Sequence, residues 1–191
     1  MLDISLHLDR VDQNITVEPL QKGIWLFHNV LSKEECDYLI SMSEKAGYMP
    51  LPSYSKNYRN NDRVIIRSFD LAKELYTRCK DYFPQSWTGY DNVHELNEVF
   101  RFCRYTKGGI FRKHTDSFFE RNSLERSRLT FNIYLNGGFD GGHTVFPEND
   151  IHVIPKPGMV LVFDHDIVHQ GYYLETGKKY LARSDVMYKK T

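Results

Sequence analysis

The chain has 191 residues, and its 25 Lys and Arg side chains are balanced by 25 Asp and Glu side chains. This length predicts a single domain, residues 1–191, and zero net charge disfavours a general nucleic-acid or anionic-membrane binder. No apolar run approaches the roughly 20 residues of a membrane helix, and no secretory signal is recognisable. We therefore expect a cytoplasmic protein with no membrane partner. Its three widely spaced cysteines imply no disulfide framework.

Two helices are predicted within residues 1–96, which we expect to form a support region of strand and helix. Ser32 and Glu35 have the spacing of a capping box, so the first helix is expected to begin after Ser32. Gly47 is a natural end for that helix. The second helix is predicted to begin near Asp70, because apolar residues recur from there at helical spacing.

The sequence pattern changes from predicted helices and loop to short β-rich runs at about residue 97. The polar stretch 52–64 before this point is predicted to be an exposed loop, whereas residues 97–191 contain short β-rich runs separated by Gly, Pro and Asn-Gly signals. Short antiparallel strands at this density favour a sandwich or jelly roll. The predicted class is mainly β with N-terminal helices (α+β), the helices packing on one face of a core formed by residues 97–191.

Alternation within two predicted strands indicates which side chains share a face. In 129–136, an apolar face alternates with a face that carries Thr130, Asn132, Tyr134 and Asn136. In 179–188, one face carries Lys179, Leu181, Arg183, Asp185 and Met187. Charged side chains on the inward face of a core strand predict a cavity rather than a dry interior.

The residues with the clearest chemical pattern are His114 and Asp116, which lie on the same side of an extended segment. His169 follows a later apolar strand, and two histidines with one carboxylate predict a facial triad that leaves positions open on Fe(II). His165, between two aspartates, competes with His169 for the third position. Lys179 lies ten residues after His169 and is expected to hold the far carboxylate of a dicarboxylic cosubstrate.

Several stretches resemble the prolyl 4-hydroxylase-like branch of the 2-oxoglutarate- and Fe(II)-dependent oxygenases. The matching stretches are RYTKGGIFRKHTD, RLTFNIYLNGGFDGGHTVF, PKPGMVLVFDHDIVHQG, GKKYLARSDVMY and the lead-in FHNVLSKEECDYLI. The resemblance covers roughly residues 23–189 and implies a double-stranded β-helix, the jelly roll of that family. It implies hydroxylation of an unactivated C–H bond, with Fe(II) as the cofactor and 2-oxoglutarate and O2 as cosubstrates. The implied co-products are succinate and CO2, and the implied reductant is ascorbate.

The same resemblance implies roles for individual residues. It assigns the iron ligands to His114, Asp116 and His169. It assigns the cosubstrate contacts to Lys179, Tyr134 and Tyr105. His169 is preferred to His165, because the family pattern places the ligand directly before Gln170 and Gly171 and ten residues before the cation. No catalytic residue beyond the metal site is implied.

The chain departs from the family pattern at Phe111, where the family commonly has a tyrosine, and it lacks the tryptophan-containing C-terminal segment of the collagen-modifying members. These departures disfavour a collagen-type or peptidyl-proline substrate. The expected partner is a peptide or small-molecule substrate, in which a peptidyl residue, an amino acid or a small metabolite is hydroxylated. The sequence does not indicate an oligomeric state.

Candidates for contact with the substrate, or for a second cosubstrate contact, are Arg183, Arg112 and Asn132. Arg183 has two interpretations, a structural pair with Asp185 or a contact to an anionic group. A basic cluster is either a solvated face or a rim that favours an anionic substrate, and its members are Arg101, Arg104, Lys107, Arg112 and Lys113. The polar stretch 60–63 is either an exposed loop or a cover over the substrate.

Two other functions remain open from the sequence. The first is a nucleic-acid dealkylating oxygenase, which would share the triad. Arg183 and the basic cluster are compatible with this function, whereas zero net charge makes nucleic acid an unlikely partner. The second is a non-catalytic jelly-roll module that holds a metal or another ligand. A complete triad with a correctly spaced cation favours an enzyme over such a module.

Overall fold

The computed structural model describes residues 1–8, 14–90 and 92–190. In these ranges the α-helices are α1 (Lys33–Ala46) and α2 (Phe69–Cys79), and a short 3-10 helix follows at Lys80–Tyr82. The first nine strands are β1 (Leu2–Asp3), β2 (Thr16–Gln21), β3 (Ile24–His28), β4 (Met49–Pro50), β5 (Arg59–Asn60), β6 (Asp62–Arg67), β7 (Asn92–Leu96), β8 (Val99–Tyr105) and β9 (Ile110–His114). The others are β10 (Glu120–Asn122), β11 (Glu125–Tyr134), β12 (Asp140–Gly141), β13 (Thr144–Phe146), β14 (Ile151–Val153), β15 (Val160–Asp164), β16 (His169–Gly171), β17 (Leu174–Thr176) and β18 (Lys179–Lys189).

The strands form two principal sheets. The major sheet has the order β1-β6-β8-β18-β11-β15-β3-β2, with β4, β7 and β10 paired to β6, β18 and β11. The minor sheet has the order β14-β13-β16-β9-β5, and β12 pairs with β17 in a separate ribbon. The predicted jelly-roll class with N-terminal helices is confirmed. Because β3 and β6 pair with β15 and β8, strands from 1–96 and 97–191 share the major sheet.

The helices pack on one face of the major sheet. The predicted capping box is present, since the Ser32 hydroxyl accepts from Glu35 N–H and the Glu35 carboxylate accepts from Ser32 N–H. The helix ends before Gly47, whose φ of 87° lies in the region that glycine favours. The second helix is capped by Ser68, close to its predicted start. Arg78 of α2 joins the helices through a buried ion pair with Glu35 of α1 at 2.7 Å.

Strand β11 shows how the sheet separates a dry core from a cavity. Its apolar residues lie in the core that includes the helices, and they are Leu129, Phe131 and Ile133, with Leu135 just beyond the strand. The opposite face carries Thr130 and Asn132, which line a cavity between the two sheets. The predicted alternation is thus confirmed for this strand. Neither helix of the described ranges has the length and apolar character needed to cross a bilayer.

The prediction of an exposed loop over 52–64 is wrong from Arg59 onward. Residues Arg59–Asn60 form β5 beside β9, and β6 begins at Asp62 and pairs with β8. The polar composition hid these strands, because only Val64 and Ile66 of β6 turn toward the apolar core. Pairing with distant strands, which a local pattern does not report, determines the conformation here.

Candidate active site

A cavity of about 310 Å³ opens between the major and minor sheets. Side chains from β9, β16, β8, β11 and β18 line it, together with residues that follow β9. The candidate metal ligands His114, Asp116 and His169 all contribute to its wall. The sequence therefore predicted correctly that these three side chains share one cavity.

The two histidines are brought together by strand pairing. His114 ends β9, His169 begins β16, and the two residues are direct register partners with ring centroids 4.2 Å apart. The Asp116 carboxylate lies 3.9 Å from His114 Nε2 and 3.7 Å from His169 Nε2. All three ligand atoms lie within 4.8 Å of one another, which is compact enough to surround one cation.

Backbone carbonyls determine which nitrogen of each histidine ring is protonated. His114 Nδ1 lies 2.7 Å from the Arg112 carbonyl oxygen, and His169 Nδ1 lies 3.1 Å from the Ile167 carbonyl oxygen. A carbonyl oxygen only accepts, so each Nδ1 donates and each Nε2 keeps a free lone pair. Burial lowers the pKa of His114 to about 4 and also lowers the pKa of His169. Both rings are thus neutral near pH 7, the form that binds metals.

The Asp116 carboxylate is held in its ionised form. Burial alone would raise its pKa, but the neighbouring Arg183 charge, His169 and a hydrogen bond from Thr130 keep the pKa well below its usual range. Arg183 Nε lies 3.3 Å from the carboxylate. The site therefore presents one permanent negative charge and two neutral imidazoles toward a shared point.

A chain of hydrogen bonds through Ser127, His165 and Thr130 orients the Asp116 carboxylate. Phe119 N–H donates to the Ser127 hydroxyl at 2.8 Å, and Ser127 lies 2.9 Å from His165 Nε2. His165 Nδ1 lies 2.9 Å from Thr130 Oγ1, and the Thr130 hydroxyl donates to Asp116 at 2.6 Å. Since the Thr130 hydroxyl donates to the carboxylate, its oxygen accepts from Nδ1–H of a neutral His165. His165 Nε2 then accepts from the Ser127 hydroxyl, so every donor in the chain of hydrogen bonds has one acceptor. His165 thus contacts Asp116 through Thr130.

Lys179 lies at another part of the cavity, where β18 begins opposite Tyr105 of β8. Its ammonium group donates to the Gly142 carbonyl and lies 5.6 Å from the Tyr105 ring and 5.4 Å from the Tyr134 ring. No carboxylate of the described residues lies within 4.0 Å of it, and burial lowers its pKa to about 7. A buried cation without an anionic partner is suited to receive a carboxylate from a ligand.

The tyrosines differ in their access to the cavity. Tyr105 lines it, whereas Tyr134 is fully buried and is absent from the described lining residues. The Tyr134 hydroxyl lies 2.6 Å from Thr144 Oγ1, and Thr144 itself lines the cavity. Thr144 therefore lies between Tyr134 and the cavity, and the Tyr134 hydroxyl already has Thr144 as its hydrogen-bond partner.

The three candidate substrate contacts have different positions. Asn132 and Arg183 line the cavity, and Arg183 also pairs with Asp185 at 2.9 Å. The Arg112 side chain, in contrast, is exposed, donates to the Asn57 carbonyl at 3.0 Å and lies outside the cavity lining. The bond to the chain segment before β5 holds this guanidinium away from the site.

Of the predicted basic cluster, only Arg101 lines the cavity. Arg104 points to the opposite face of β8 and pairs with Glu44 and Asp62, while the other members belong to the exposed surface. The basic lining instead includes Arg59 and Arg63, which come from the segment expected to be a loop. No local signal identified Arg59, because it reaches the cavity through the pairing of β5 with β9.

Phe111, which replaces the tyrosine common in the family, is a spacer between a cation and a candidate ligand. Its ring stacks on His114 with centroids 3.5 Å apart and an interplanar angle of 19°. The Arg59 guanidinium carbon lies 4.1 Å from the centroid of the same Phe111 ring. An apolar aromatic side chain thus forms a continuous contact from Arg59 to the candidate metal site.

Comparison with known proteins finds similarity to one family. Residues 100–184 match the sequence profile of the 2OG-Fe(II) oxygenase superfamily, and this range includes all three candidate ligands and Lys179. A putative prolyl 4-hydroxylase of Acanthamoeba polyphaga mimivirus is 26% identical over 202 residues, covering 94% of this chain and 79% of that protein. A probable prolyl 4-hydroxylase of Arabidopsis thaliana is 26% identical over 160 residues, covering 78% of this chain and 53% of that protein.

Solved structures with the same fold include two prolyl hydroxylases. The viral collagen prolyl hydroxylase of Paramecium Bursaria Chlorella virus-1 superposes with a TM-score of 0.66 at 21% identity, over 86% of this chain and 96% of that chain. A Pseudomonas putida prolyl-4-hydroxylase superposes with a TM-score of 0.62 at 16% identity, over 88% and 93% of the two chains. The chain spans about half the length of the plant relative.

These findings confirm the resemblance to the prolyl 4-hydroxylase-like branch and the enzyme class that it implies. The family uses Fe(II), 2-oxoglutarate and O2, as expected from the sequence. Residues 100–184 match a 2OG-Fe(II) oxygenase domain, and the similarity of the chain to prolyl 4-hydroxylases supports a hydroxylase-type enzyme.

Proposed function

We propose that the chain, acting as one oxygenase domain, hydroxylates an unactivated C–H bond of a peptidyl residue at the cavity between its two sheets. The observation that carries this proposal is the cluster of His114, Asp116 and His169, whose ligand atoms lie within 4.8 Å of one another. We assign Fe(II) to this cluster. Neutral histidines that donate from Nδ1, with one ionised carboxylate, form the donor set of a facial triad.

The donor set fits a divalent cation on charge as well as on geometry. Asp116 and the lone pairs of two Nε2 atoms converge while Arg183 already neutralises part of the carboxylate charge. A bound cation would share the Asp116 carboxylate with Arg183. Fe(II), when bound, supplies the O2 chemistry that couples decarboxylation of 2-oxoglutarate to hydroxylation.

Lys179 is proposed to hold the far carboxylate of 2-oxoglutarate. Its ammonium group is buried and has no anionic partner among the described residues, so a ligand carboxylate would supply the missing charge. Tyr105 covers one side of this part of the cavity, and Thr144, backed by Tyr134, offers a hydroxyl beside it. These residues bind and orient the cosubstrate, and none of them has to act as a nucleophile.

A peptide is the substrate class that we propose, since the relatives are named prolyl 4-hydroxylases. The chain keeps Phe111 where that family commonly has tyrosine, so the hydroxylated residue itself is left open. Ascorbate as a reductant and a cytoplasmic location belong to the same proposal.

The test is release of succinate by the purified protein with Fe(II), 2-oxoglutarate and O2, alongside a mass-spectrometric search for a gain of one oxygen in peptide pools. We expect succinate from the wild type and none from Asp116→Ala, with both proteins folded by circular dichroism. A wild type that binds Fe(II) and 2-oxoglutarate yet forms no succinate with any pool would instead indicate a non-catalytic binding module.

A further inference from the structure

The cavity carries more positive charge than the proposed iron and cosubstrate chemistry uses. Five cationic side chains line it, namely Lys179, Arg183, Arg101, Arg59 and Arg63. Among the described lining residues Asp116 is the one acid. An excess of cations in a partly enclosed space is costly unless an anion enters.

Two of these arginines are compensated by a buried acid. Arg101 of β8 and Arg183 of β18 are direct register partners, so like charges face each other across the strand pair. Asp185 is 1% exposed and lies between them, 3.3 Å from Arg101 and 2.9 Å from Arg183. Asp185 therefore serves both guanidinium groups, and while Arg183 also lies 3.3 Å from Asp116, Arg101 has no second acidic partner among the described residues.

Arg59 is held in place with its outer nitrogens available. Its Nε donates to Asn61 Oδ1 at 2.8 Å, and its guanidinium lies over the Phe111 ring at 4.1 Å. Asn61 is 7% exposed and is fixed in turn by a bond to the Asp62 carbonyl. Among the residues that the structure describes, the terminal nitrogens have one weak hydrogen-bond contact, from NH2 to Cys103 Sγ at 3.9 Å. A positioned guanidinium with free terminal donors suits bidentate binding of an oxyanion.

Arg63 is the cation with least compensation. It is half-buried on β6 and has no side-chain hydrogen bond or ion pair with any residue that the structure describes. Burial lowers its pKa, and the charges of Arg59 and Arg101 lower it further. The fold therefore keeps Arg63 beside two like charges at a cost in stability that its own contacts do not offset.

We propose that Arg59, Arg63 and Arg101 form an oxyanion subsite that takes a carboxylate or phosphate group of the substrate. The inference rests on the proposed hydroxylation and specifies its substrate class, an acidic one. Arg101 is separate from the Lys179 contact, because its register partner Arg183 lies four residues from Lys179 on β18, or roughly 13 Å between Cα atoms. An acid held by the three arginines would place the rest of the substrate beside His114, since Phe111 contacts both Arg59 and that ring.

The test measures binding without turnover, on protein saturated anaerobically with Mn(II) and 2-oxoglutarate so that the Lys179 contact is already filled. Calorimetry compares acetyl-Glu-Pro-Glu-amide, its Gln counterpart and inorganic phosphate. We expect the Glu peptide or phosphate to bind, and the Gln peptide to bind at least about tenfold more weakly. Binding by the Glu peptide assigns a carboxylate, and binding by phosphate alone assigns a phosphate group.

Variants separate a binding role from a structural one. Arg63→Gln should weaken binding of the anionic probe about tenfold, and Arg63→Lys should weaken it less because the charge remains. Without the probe, Arg63→Gln should keep or raise the melting temperature, since it removes a repelled charge. The matched control is Arg112→Gln, because Arg112 is exposed nearby and lies outside the cavity; its probe affinity should equal that of the wild type.

Three results would overturn the subsite. The first is equal affinity of the wild type for the Glu and Gln peptides with no binding of phosphate. The second is an Arg63→Gln protein that keeps full affinity for the anionic probe or has a lower melting temperature than the wild type. The third is tighter binding of a single-stranded oligodeoxynucleotide than of either small anion, which would favour a nucleic-acid substrate. Because no step depends on oxygen, these results stand whether or not succinate is formed in the activity test.

Discussion

Thr130 Oγ1 stands between two residues of the site, donating to Asp116 Oδ2 at 2.6 Å and lying 2.9 Å from His165 Nδ1. One hydroxyl thereby links a candidate iron ligand to the histidine that competed with His169 in the sequence. His165 is buried, and burial lowers its pKa, so the ring is neutral near pH 7. Its neighbours occupy both ring nitrogens, which leaves His165 to orient Asp116 rather than to bind metal.

Replacing Thr130 by valine should therefore weaken metal binding while preserving the shape of the side chain. Thr130→Val removes the hydrogen bond to Asp116 and leaves His165 Nδ1 without its acceptor, so we expect roughly 10- to 100-fold lower affinity for Mn(II). Thr130→Ser restores the hydroxyl and should recover most of the affinity. Titration of Mn(II) into the apo proteins measures both, and equal affinity of wild type and Thr130→Val would contradict the orienting role.

Binding of 2-oxoglutarate should depend on pH through Lys179. Burial lowers the pKa of the free ammonium group to about 7, and only the protonated form pairs with a carboxylate. Binding above pH 7 then requires uptake of a proton, so the apparent Kd should rise with pH, by up to about tenfold per pH unit. Lys179→Met should bind more weakly and lose this dependence. Calorimetry in buffers of different ionisation enthalpy would detect the proton, and a pH-independent Kd in the wild type would exclude it.

The same group makes a separate prediction for the unliganded protein. The unfolded Lys179 has an ordinary pKa of 10.5, whereas the folded group titrates at about 7, so the unfolded state binds more protons between these values. Its contribution to the free energy of unfolding therefore rises with pH across that window, by up to about 1.4 kcal/mol per unit. The difference in urea stability between wild type and Lys179→Met should follow this sign. A difference that stays constant from about pH 7 to pH 10 would contradict a depressed pKa.

Asp185 is expected to be essential to stability, because it is the shared counterion of Arg101 and Arg183. Asp185→Asn leaves two arginines facing each other with no carboxylate between them, and should cost about 3–5 kcal/mol of unfolding free energy. The control is Asp62→Asn, whose carboxylate pairs with Arg104 at the surface and should cost about 1 kcal/mol or less. Similar losses in the two variants, measured by urea unfolding, would show that the buried position adds nothing.

The sequence predicted the parts of the site that depend on local spacing. His114 and Asp116 were identifiable from their i, i+2 separation, and the inward face of β18 was visible in the alternation of Lys179 and Arg183. His114 and His169 share one cavity because β9 pairs with β16, a pairing that no local pattern reports, although the family resemblance assigned both residues to one metal site.

The missed residues depend on long-range pairing. Arg59 and Arg63 lie in a polar stretch without a strand pattern, and they enter the cavity because β5 pairs with β9 and β6 with β8. Arg112 was placed at the site from its nearness in sequence to His114, although its hydrogen bond to the Asn57 carbonyl holds it outside. Register between distant strands, rather than composition, decides which arginines face the cavity.

The assignment of one Fe(II) to His114, Asp116 and His169 is tested by anaerobic measurement of Fe(II) stoichiometry in equilibrium dialysis. The decisive comparison is between His169→Ala and His165→Ala, two buried histidines four residues apart. We expect one bound Fe(II) per chain in the wild type, almost none in His169→Ala, and a weakened but measurable site in His165→Ala. Loss of iron in His165→Ala with full retention in His169→Ala would contradict the assignment.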